Sequence, residues 1–421
     1  MLLENPKTAF LISTYQSSQD KKVCEESLEE LSRLAETAGL QTIEKVPCHL
    51  RKIEAGTFLG KGKLEELVYQ SQALNTDIVI FDDEITPHQQ RNLENLFKTT
   101  VIDRTELIIE VFAQRAQTKE ARLQIELASA KYQLPRLKRL WTHLSRQSVG
   151  GKGYLKGEGE KQIEIDRRLI RRRIDQLNDE IKEVIAQRSV QRSQRLRSGI
   201  PTFAIVGYTN AGKSTLLRAL TKADVLVEDK LFATLDTTTR KYFLPNRQEV
   251  LLIDTVGFIR KLPHDLVLAF KSTLEEALYT DVLIHLIDVS HPAAESQAES
   301  AMQVLKELGA LDRPIITVLN KIDQCSQPNL LQRFRVKYPK TIAISALEGK
   351  GFDQLTEMMM EELKAMRKTF NLRIPQSHYA LVSELMREAR VFSCVYDEND
   401  IVLEVEIPKR LEYKVIPFSK I

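Results

Sequence analysis

Gly207-Tyr208-Thr209-Asn210-Ala211-Gly212-Lys213-Ser214 sets two glycines, a lysine and a hydroxyl between an apolar run, Phe203 to Val206, and a helix-like stretch, Thr215 to Leu220. Glycines let backbone N–H groups close around a polyphosphate, a lysine bridges its outer phosphates, and a serine hydroxyl suits a magnesium ion. The chemistry of this segment, with Thr215 at its end, is phosphate binding. Downstream, Leu251-Leu252-Ile253 runs into Asp254-Thr255-Val256-Gly257. That is the form taken in P-loop enzymes by a carboxylate standing behind the metal and a glycine that senses the γ-phosphate. Asn320-Lys321-Ile322-Asp323 closes another apolar strand, Ile315 to Leu319.

A carboxylate at a strand end can accept hydrogen bonds from both the ring N–H and the exocyclic amine of guanine. Adenine offers no such donor pair, so Asp323 selects GTP over ATP. Asn320 and Lys321 are expected to brace the loop and pack on the base. Ser345-Ala346-Leu347, after the strand Thr341 to Ile344, offers a backbone N–H to the guanine carbonyl. These elements, in this order, imply GTP hydrolysis, with Lys213 and Gly257 at the terminal phosphate. Between P-loop and Asp254, the segment Phe232-Ala233-Thr234-Leu235-Asp236-Thr237-Thr238-Thr239 must supply a threonine hydroxyl to the metal. Sequence chemistry leaves all four threonines open. Phe258 stands where Ras-like switches place a water-orienting glutamine, and a phenyl ring cannot do that work. Slow intrinsic hydrolysis follows, with the missing positioning supplied by another loop, a cation or a partner. Asn210 either accompanies potassium binding, as asparagine at this P-loop position does in some GTPases, or only shapes the loop.

The elements that must carry these residues alternate. At 421 residues the chain can hold several domains, and 43% hydrophobic with 28% charged residues is the balance of a soluble globular protein. Ala9 to Thr14, Val23 to Ala38, Leu40 to Val46, Lys63 to Leu74, Asp77 to Phe81, Pro87 to Phe97 and Val101 to Ile102 alternate strand-like and helix-like. This predicts a parallel α/β domain over 1–103. Its loop Gly56-Thr57-Phe58-Leu59-Gly60-Lys61-Gly62-Lys63 is either a phosphate or RNA contact or a tight turn with a helix cap.

From 104 to 198 the pattern is helical. Leu123, Leu127, Ala130, Leu134, Leu137 and Trp141 form one seam, and Ile170, Ile174, Leu177, Ile181 and Val184 another. Matching seams predict a coiled-coil-like hairpin, with Pro135 kinking its first helix. The ten residues from Gly150 to Gly159 hold five of the sixteen glycines and form its tip. Residues 131 to 200 carry 18 Lys and Arg against 8 Asp and Glu, a local charge of +10 in a chain of net +3. The hairpin is thus a basic arm suited to a crevice in folded RNA, or simply a solvated helical face. A GTPase domain over 199–367, a mixed sheet flanked by helices, and a small α+β appendage over 368–421 complete the expectation. Cys24, Cys48, Cys325 and Cys394 form no Cys-x-x-Cys pair, so neither disulfides nor a zinc knuckle are expected. The first residues lack a signal-peptide pattern and no run is long enough to span a membrane, so a cytoplasmic location is expected, with peripheral membrane association left open.

Together these residues resemble the HflX-type GTPases of the Obg–HflX group. Outside the nucleotide motifs the resemblance rests on Gly60-Lys61-Gly62-Lys63, Gln89-Gln90-Arg91-Asn92-Leu93-Glu94, Asp103-Arg104-Thr105-Glu106-Leu107-Ile108, Leu123-Gln124-Ile125-Glu126-Leu127-Ala128, Leu134-Pro135-Arg136-Leu137 and Asp166-Arg167-Arg168. It implies that Phe232-Ala233-Thr234-Leu235-Asp236 is the magnesium-sensing loop, and so that Thr234, with Ser214 and the more distant Asp254, serves the Mg2+ ion. It further implies a monomeric, ribosome-associated GTPase that binds GTP and GDP, docks on the large subunit and its RNA, and in its GTP form separates stalled or idle ribosomes. ATP binding by the N-terminal domain is implied as well. Two other readings of the residues stand beside this: a GTPase maturing or modifying free RNA, and a nucleotide-sensing module that docks a protein. Thr237 replaces the family's usual proline, and Gly157-Glu158-Gly159-Glu160-Lys161 replaces its usual Gly-Pro-Gly-Glu-Thr-Gln.

Overall fold

The computed structural model describes residues 6–137, 156–197, 200–222, 231–261 without 233 and 236, and 279–419 without 326, 398, 409 and 410. Trp141 and the Gly150–Leu155 part of the expected tip therefore lie outside the described residues, as do Ala233 and Asp236. The protein is α/β, built on three sheets. In the first, Thr8–Tyr15 (β1), Gln41–His49 (β2), Ile78–Phe81 (β3) and Thr100–Asp103 (β4) pair in the order β2-β1-β3-β4, each pair parallel. Ala9 to Ile12 are fully buried. A strand covered on both faces needs apolar residues in a continuous run, which β1 has.

Asp20–Thr37 (α1), Lys61–Ala73 (α2) and Pro87–Phe97 (α3) lie where the alternation places them. Thr86 and Gln89 form a reciprocal cap on α3 with Pro87 in its first turn, fixing its start locally. The Gly56 to Lys63 loop is a turn tied to α3: Asn92 donates to the Gly56 carbonyl at 2.8 Å and Gln89 to that of Glu54 at 2.9 Å. Lys61 and Lys63 pair along α2 with Glu65 and Glu66.

Arg104–Arg115 (α4) falls inside the range expected for the arm, yet it belongs to the first core. Its Leu107, Ile108, Val111 and Phe112 are buried in one cluster with Leu28 and Leu31 of α1, because its apolar positions form a single helical face. The arm starts with Lys119–Gln133 (α5). At Pro135 the α-helix is interrupted, as expected: Leu134–Arg136 is a 3-10 turn and Leu137 is helical again, since a ring without an N–H removes one bond from the α-helical ladder. Lys156–Arg197 (α6) runs 42 residues, about 60 Å. The two seams meet as expected, with Leu123, Leu127 and Leu177 buried against Ile174, Ile181 and Val184, and Arg173 pairs with Glu126 at 2.7 Å. At the arm's root the Arg136 guanidinium lies 3.6 Å over the Tyr132 ring. It donates to the Ile85 carbonyl at 2.9 Å and to Asp103 at 3.3 Å, while Asp103 caps α4 through the Glu106 N–H.

The central sheet has the order β10-β9-β8-β5-β7-β6. Its strands are Thr202–Gly207 (β5), Thr238–Phe243 (β6), Glu249–Asp254 (β7), Val282–Asp288 (β8), Ile315–Asn320 (β9) and Thr341–Ala343 (β10). Only β6, an exposed edge strand with no apolar alternation, is antiparallel. Among the described residues its helices are Lys213–Thr221 (α7), Ala294–Glu307 (α8), Pro328–Lys337 (α9) and Phe352–Ala365 (α10). After β5 the chain adds β7 on one side and β8 on the other. The carboxyl ends of β5, β7, β8 and β9 therefore open on the crevice where such sheets take ligands. The third sheet, antiparallel in the order β11-β13-β12, comprises Arg367–Pro375 (β11), Arg390–Asp397 (β12) and Asp400–Pro408 (β13), with Tyr379–Glu388 (α11) and the single turn Glu412–Val415 (α12). Sequence reasoning missed β11, which follows α10 after one residue, although Phe370, Leu372 and Ile374 alternate with Asn371 and Arg373 as in a half-buried strand. Among the described residues no helix is long and apolar enough to cross a membrane.

His285 is a buried polar misfit in β8. Among the described residues both ring nitrogens lack a hydrogen-bond partner, the ring packs edge-on against Tyr338, and burial pulls its pKa from 6.5 down to about 4. The unfolded chain therefore takes up a proton that the folded chain refuses. The stability this residue leaves intact above pH 6.5 is lost as pH falls toward 4, by roughly 3 kcal/mol in full. In His285→Leu, urea unfolding at pH 7 and pH 4.5 is expected to differ by about 2 kcal/mol less than in the parent. An unchanged difference would mean that the imidazole is protonated in the fold.

Candidate active site

β5 ends in a loop whose glycines are required by contact. Gly207 has φ +153° and Gly212 φ +94°, and an added Cβ would run into the Leu286 carbonyl at the first and the Asn320 amide at the second. Asn210 takes φ +61°, a left-handed conformation that asparagine tolerates better than most residues. The loop feeds directly into α7. Lys213, at the first position of α7, donates to the Tyr208 carbonyl at 2.8 Å and to that of Gly207 at 3.3 Å. Burial pushes its pKa down to about 8, against the pull of Asp254. Thr215 is half-buried in the same helical turn.

Next to this amine three oxygen-bearing side chains converge. Ser214 donates to Asp254 Oδ2 at 2.6 Å, Thr234 donates to the same oxygen at 3.1 Å, and the two hydroxyls are 2.7 Å apart. Of the four threonines in the switch segment, Thr234 is the one whose hydroxyl reaches this group. Asp254 is fully buried, its Oδ1 has no partner among the described residues, and desolvation raises its pKa despite Lys213, Ser214 and Thr234. Two hydroxyls around a buried carboxylate with one unsatisfied oxygen form a hard donor set that fits Mg2+.

The loop after β7 is zipped to the P-loop by backbone bonds: Thr209 N–H to the Phe258 carbonyl at 2.8 Å, and Phe258 N–H to that of Gly207 at 3.0 Å. At Gly257 a Cβ would lie 2.8 Å from Lys213 Nζ and from Thr209 Cα and Cγ2. The Phe258 ring is buried with Tyr208, Ile253 and Leu305, turned into the core. Thr255 donates its hydroxyl to the Ile205 carbonyl at 2.8 Å.

At the other end of the crevice Asn320 spans two loops, donating to the Ala211 carbonyl at 2.8 Å and accepting from the Ala346 N–H at 2.9 Å. Lys321 has φ +62° and pairs with Asp288 at 2.6 Å. Asp323 is exposed in the turn Ile322–Gln324. The Ser345 N–H bonds the Lys350 carbonyl, so of Ser345, Ala346 and Leu347 only Leu347 has an N–H with no partner among the described residues.

Sequence reasoning missed what lies against this site. Leu231, Phe232, Leu235, Val256 and Ile259, from the loops flanking Thr234 and Gly257, are buried in the same apolar cluster as α1, α4 and α5. The Phe112 and Phe232 rings meet edge-on with centroids 4.5 Å apart. Charges line the same seam. The Tyr208 hydroxyl donates to Glu30 and accepts from the Arg260 N–H, and Arg260 pairs with Glu26. Lys261 reaches Asp82 at 2.6 Å and Asp83 at 2.8 Å, and Arg104 joins Asp82 to Glu30. The only signal available was an excess of apolar residues around the switch motifs, and it does not name the surface they meet.

Comparison with known proteins agrees with this geometry. Residues 25–113 match a family described as GTP-binding GTPase N-terminal, 115–195 one described as GTP-binding GTPase Middle Region, and 202–321 one described as 50S ribosome-binding GTPase. The chain is 48% identical to a GTPase HflX of Chlamydia pneumoniae over 99% of its own length and 89% of that protein's. It is 44% identical to one of Lacrimispora saccharolytica over 94% and 92%, and 40% identical to that of Escherichia coli K12 over 95% and 93%. With a glycine-bounded loop, a buried acid and the Asn320–Asp323 turn at one crevice, and likeness along nearly its whole length, the chain is a GTP-hydrolysing enzyme and belongs to the HflX family of GTPases.

Proposed function

We propose that this GTPase works on the ribosome: with GTP bound it docks on the large subunit and separates stalled or idle ribosomes, and hydrolysis to GDP resets it. The observation that carries this reading is the burial of Leu231, Phe232, Leu235, Val256 and Ile259 in the apolar cluster of the N-terminal sheet. Loops that respond to a terminal phosphate cannot shift without shifting the domain that holds the arm. The target is supported by the ribosome-binding description matched over 202–321 and by the local charge of +10 over residues 131 to 200.

In this reading Lys213 holds the outer phosphates, Ser214 and Thr234 hold Mg2+ with Asp254 behind them, and Gly257 offers its backbone to the terminal phosphate. Held there, the ion would supply positive charge to offset that of the phosphates. Asp323 accepts from guanine, the Leu347 N–H meets its carbonyl, and the remaining P-loop and switch residues named from the sequence shape the walls. Asn210 is proposed as the contact for a potassium ion; equal turnover in sodium and potassium buffers would remove that element. An ATP site on the N-terminal domain has the least support, since Lys61 and Lys63 pair with Glu65 and Glu66. A monomer in the cytoplasm completes the proposal, and peripheral membrane contact forms no part of it.

Gradient sedimentation of intact ribosomes with the protein tests it. Subunits are expected to separate with GTP or a non-hydrolysable analogue and to stay joined with GDP. Ribosomes that stay joined in every case would end the splitting reading, and turnover stimulated by naked ribosomal RNA would favour the RNA-maturation alternative.

A further inference from the structure

Phe258 leaves the attacking water without the side chain that usually orients it, because its ring is packed into the core beside Tyr208 and Leu305. Any group that does this work must lie next to Gly257 and the Lys213 amine, must carry an acceptor for a water hydrogen, and must not already be engaged. Thr209 meets all three conditions. It is 94% buried by area, at 6% exposure, and its Oγ1 has no hydrogen-bond partner among the described residues. Its Cα and Cγ2 stand 2.8 Å from the position a Gly257 Cβ would occupy, and Lys213 Nζ is at the same distance from that point. It also lines the cleft between the P-loop and α1, with Asn210, Arg33 and His291. His291, in the same cleft, is committed at Nδ1, which accepts from the Ala293 N–H, and Glu26 and Glu30 are engaged by Arg260 and Arg104.

A buried hydroxyl left without a partner costs about 1–3 kcal/mol, so its persistence beside the phosphate end of the site calls for a partner that arrives with the substrate. We propose that the Thr209 hydroxyl receives and orients the attacking water of GTP hydrolysis. A hydroxyl has two acceptor positions and one donor. It takes a hydrogen bond from the water and can donate its own hydrogen to a phosphate oxygen. The water oxygen then bonds to the γ-phosphorus, the bond from that phosphorus to the β–γ bridging oxygen breaks, and GDP departs with that electron pair. The water's proton passes to the released phosphate, and Thr209 remains neutral throughout. The inference rests on GTP hydrolysis at this loop and is independent of the ribosome proposal, whose sedimentation readout needs no turnover.

Thr209→Val, nearly equal in volume, tests it in the full chain. Its kcat is expected to fall about tenfold, the effect of one neutral hydrogen bond made in the transition state. Affinity for GDP and for a non-hydrolysable GTP analogue is expected to stay within about twofold. The nucleotide-free variant is expected to melt at a higher temperature, because an unsatisfied buried hydroxyl has gone. Thr209→Ser is expected to keep kcat within about twofold of the parent. A parental kcat in Thr209→Val, a loss of analogue affinity as large as the loss of kcat, a lower melting temperature, or a serine variant as slow as the valine one would each overturn the proposal. If Thr209→Val does not fold, Thr209→Ala against Thr209→Ser gives the same kinetic comparison.

Discussion

Gly257→Ala is expected to lower single-turnover GTP hydrolysis at least about 100-fold, some 2.7 kcal/mol at the transition state, while GDP affinity changes by no more than a few fold. The new methyl would lie 2.8 Å from Lys213 Nζ and 2.8 Å from Thr209 Cα. The amine ends a flexible chain and can move. The Thr209 Cα is backbone, fixed by its N–H to the Phe258 carbonyl at 2.8 Å, and cannot yield without opening the zip between the two loops. In the proposed role of Gly257, the loop carrying it must therefore withdraw from the terminal phosphate, a group that GDP does not have. Lys213→Ala is the contrasting control, because in its proposed role the amine serves both nucleotides, so its removal is expected to weaken GDP and GTP together. Hydrolysis by Gly257→Ala within threefold of the parent would show that residue 257 does not face the terminal phosphate.

Asp82→Ala is expected to cost about 3–5 kcal/mol of stability, as removing one partner from a buried charge cluster does. Asp82 is 1% exposed. It accepts from Ser13 at 3.0 Å, Ser27 at 2.8 Å, Arg104 at 2.7 Å and Lys261 at 2.6 Å. Burial alone would raise its pKa, but Arg104 and Lys261 outweigh that and hold it down at about 2. Because the folded pKa lies below the ordinary 3.8, the carboxylate's contribution is complete above that value and disappears as pH drops through about 2. Denaturant unfolding at neutral pH measures the loss, and a cost under about 1 kcal/mol would show that Arg104 finds an equivalent partner in Glu30. Lys261→Ala should cost far less, because that side chain is 45% exposed and water screens its pair.

Much of the candidate site could be proposed from sequence because its motifs are local. The P-loop, Asp254 with Gly257, and Asn320 with Asp323 each lie within a few residues at a strand end, so spacing alone carries their chemistry. Resemblance chose Thr234, and its hydroxyl 2.7 Å from Ser214 is what spacing among four threonines could not provide. The parallel first sheet was readable from alternating apolar runs. The edge strand β6 was not, since Thr238–Phe243 mixes charged and apolar residues without a clean period, whereas in β11 Phe370, Leu372 and Ile374 alternate with Asn371 and Arg373, a period-2 signal that sequence reasoning missed. α4 was assigned to the arm because helical periodicity says that a face exists and not what it meets. For the same reason the contacts of Tyr208, Arg260 and Lys261 with Glu30, Glu26 and Asp82, some 180 to 230 residues away in the chain, lay beyond any local pattern.

The seam between α1 and the P-loop also limits how the protein can be taken apart or recombined. A fragment beginning near residue 200 would turn Leu231, Phe232, Val256 and Ile259 toward solvent and leave Tyr208, Arg260 and Lys261 without their acidic counterparts. Its measured rates would describe loosened loops and not the intact enzyme. Chimeras that splice the nucleotide half of one relative onto the amino-terminal half of another would inherit a mismatched joint, so substitutions on the two sides of it should travel together through descent.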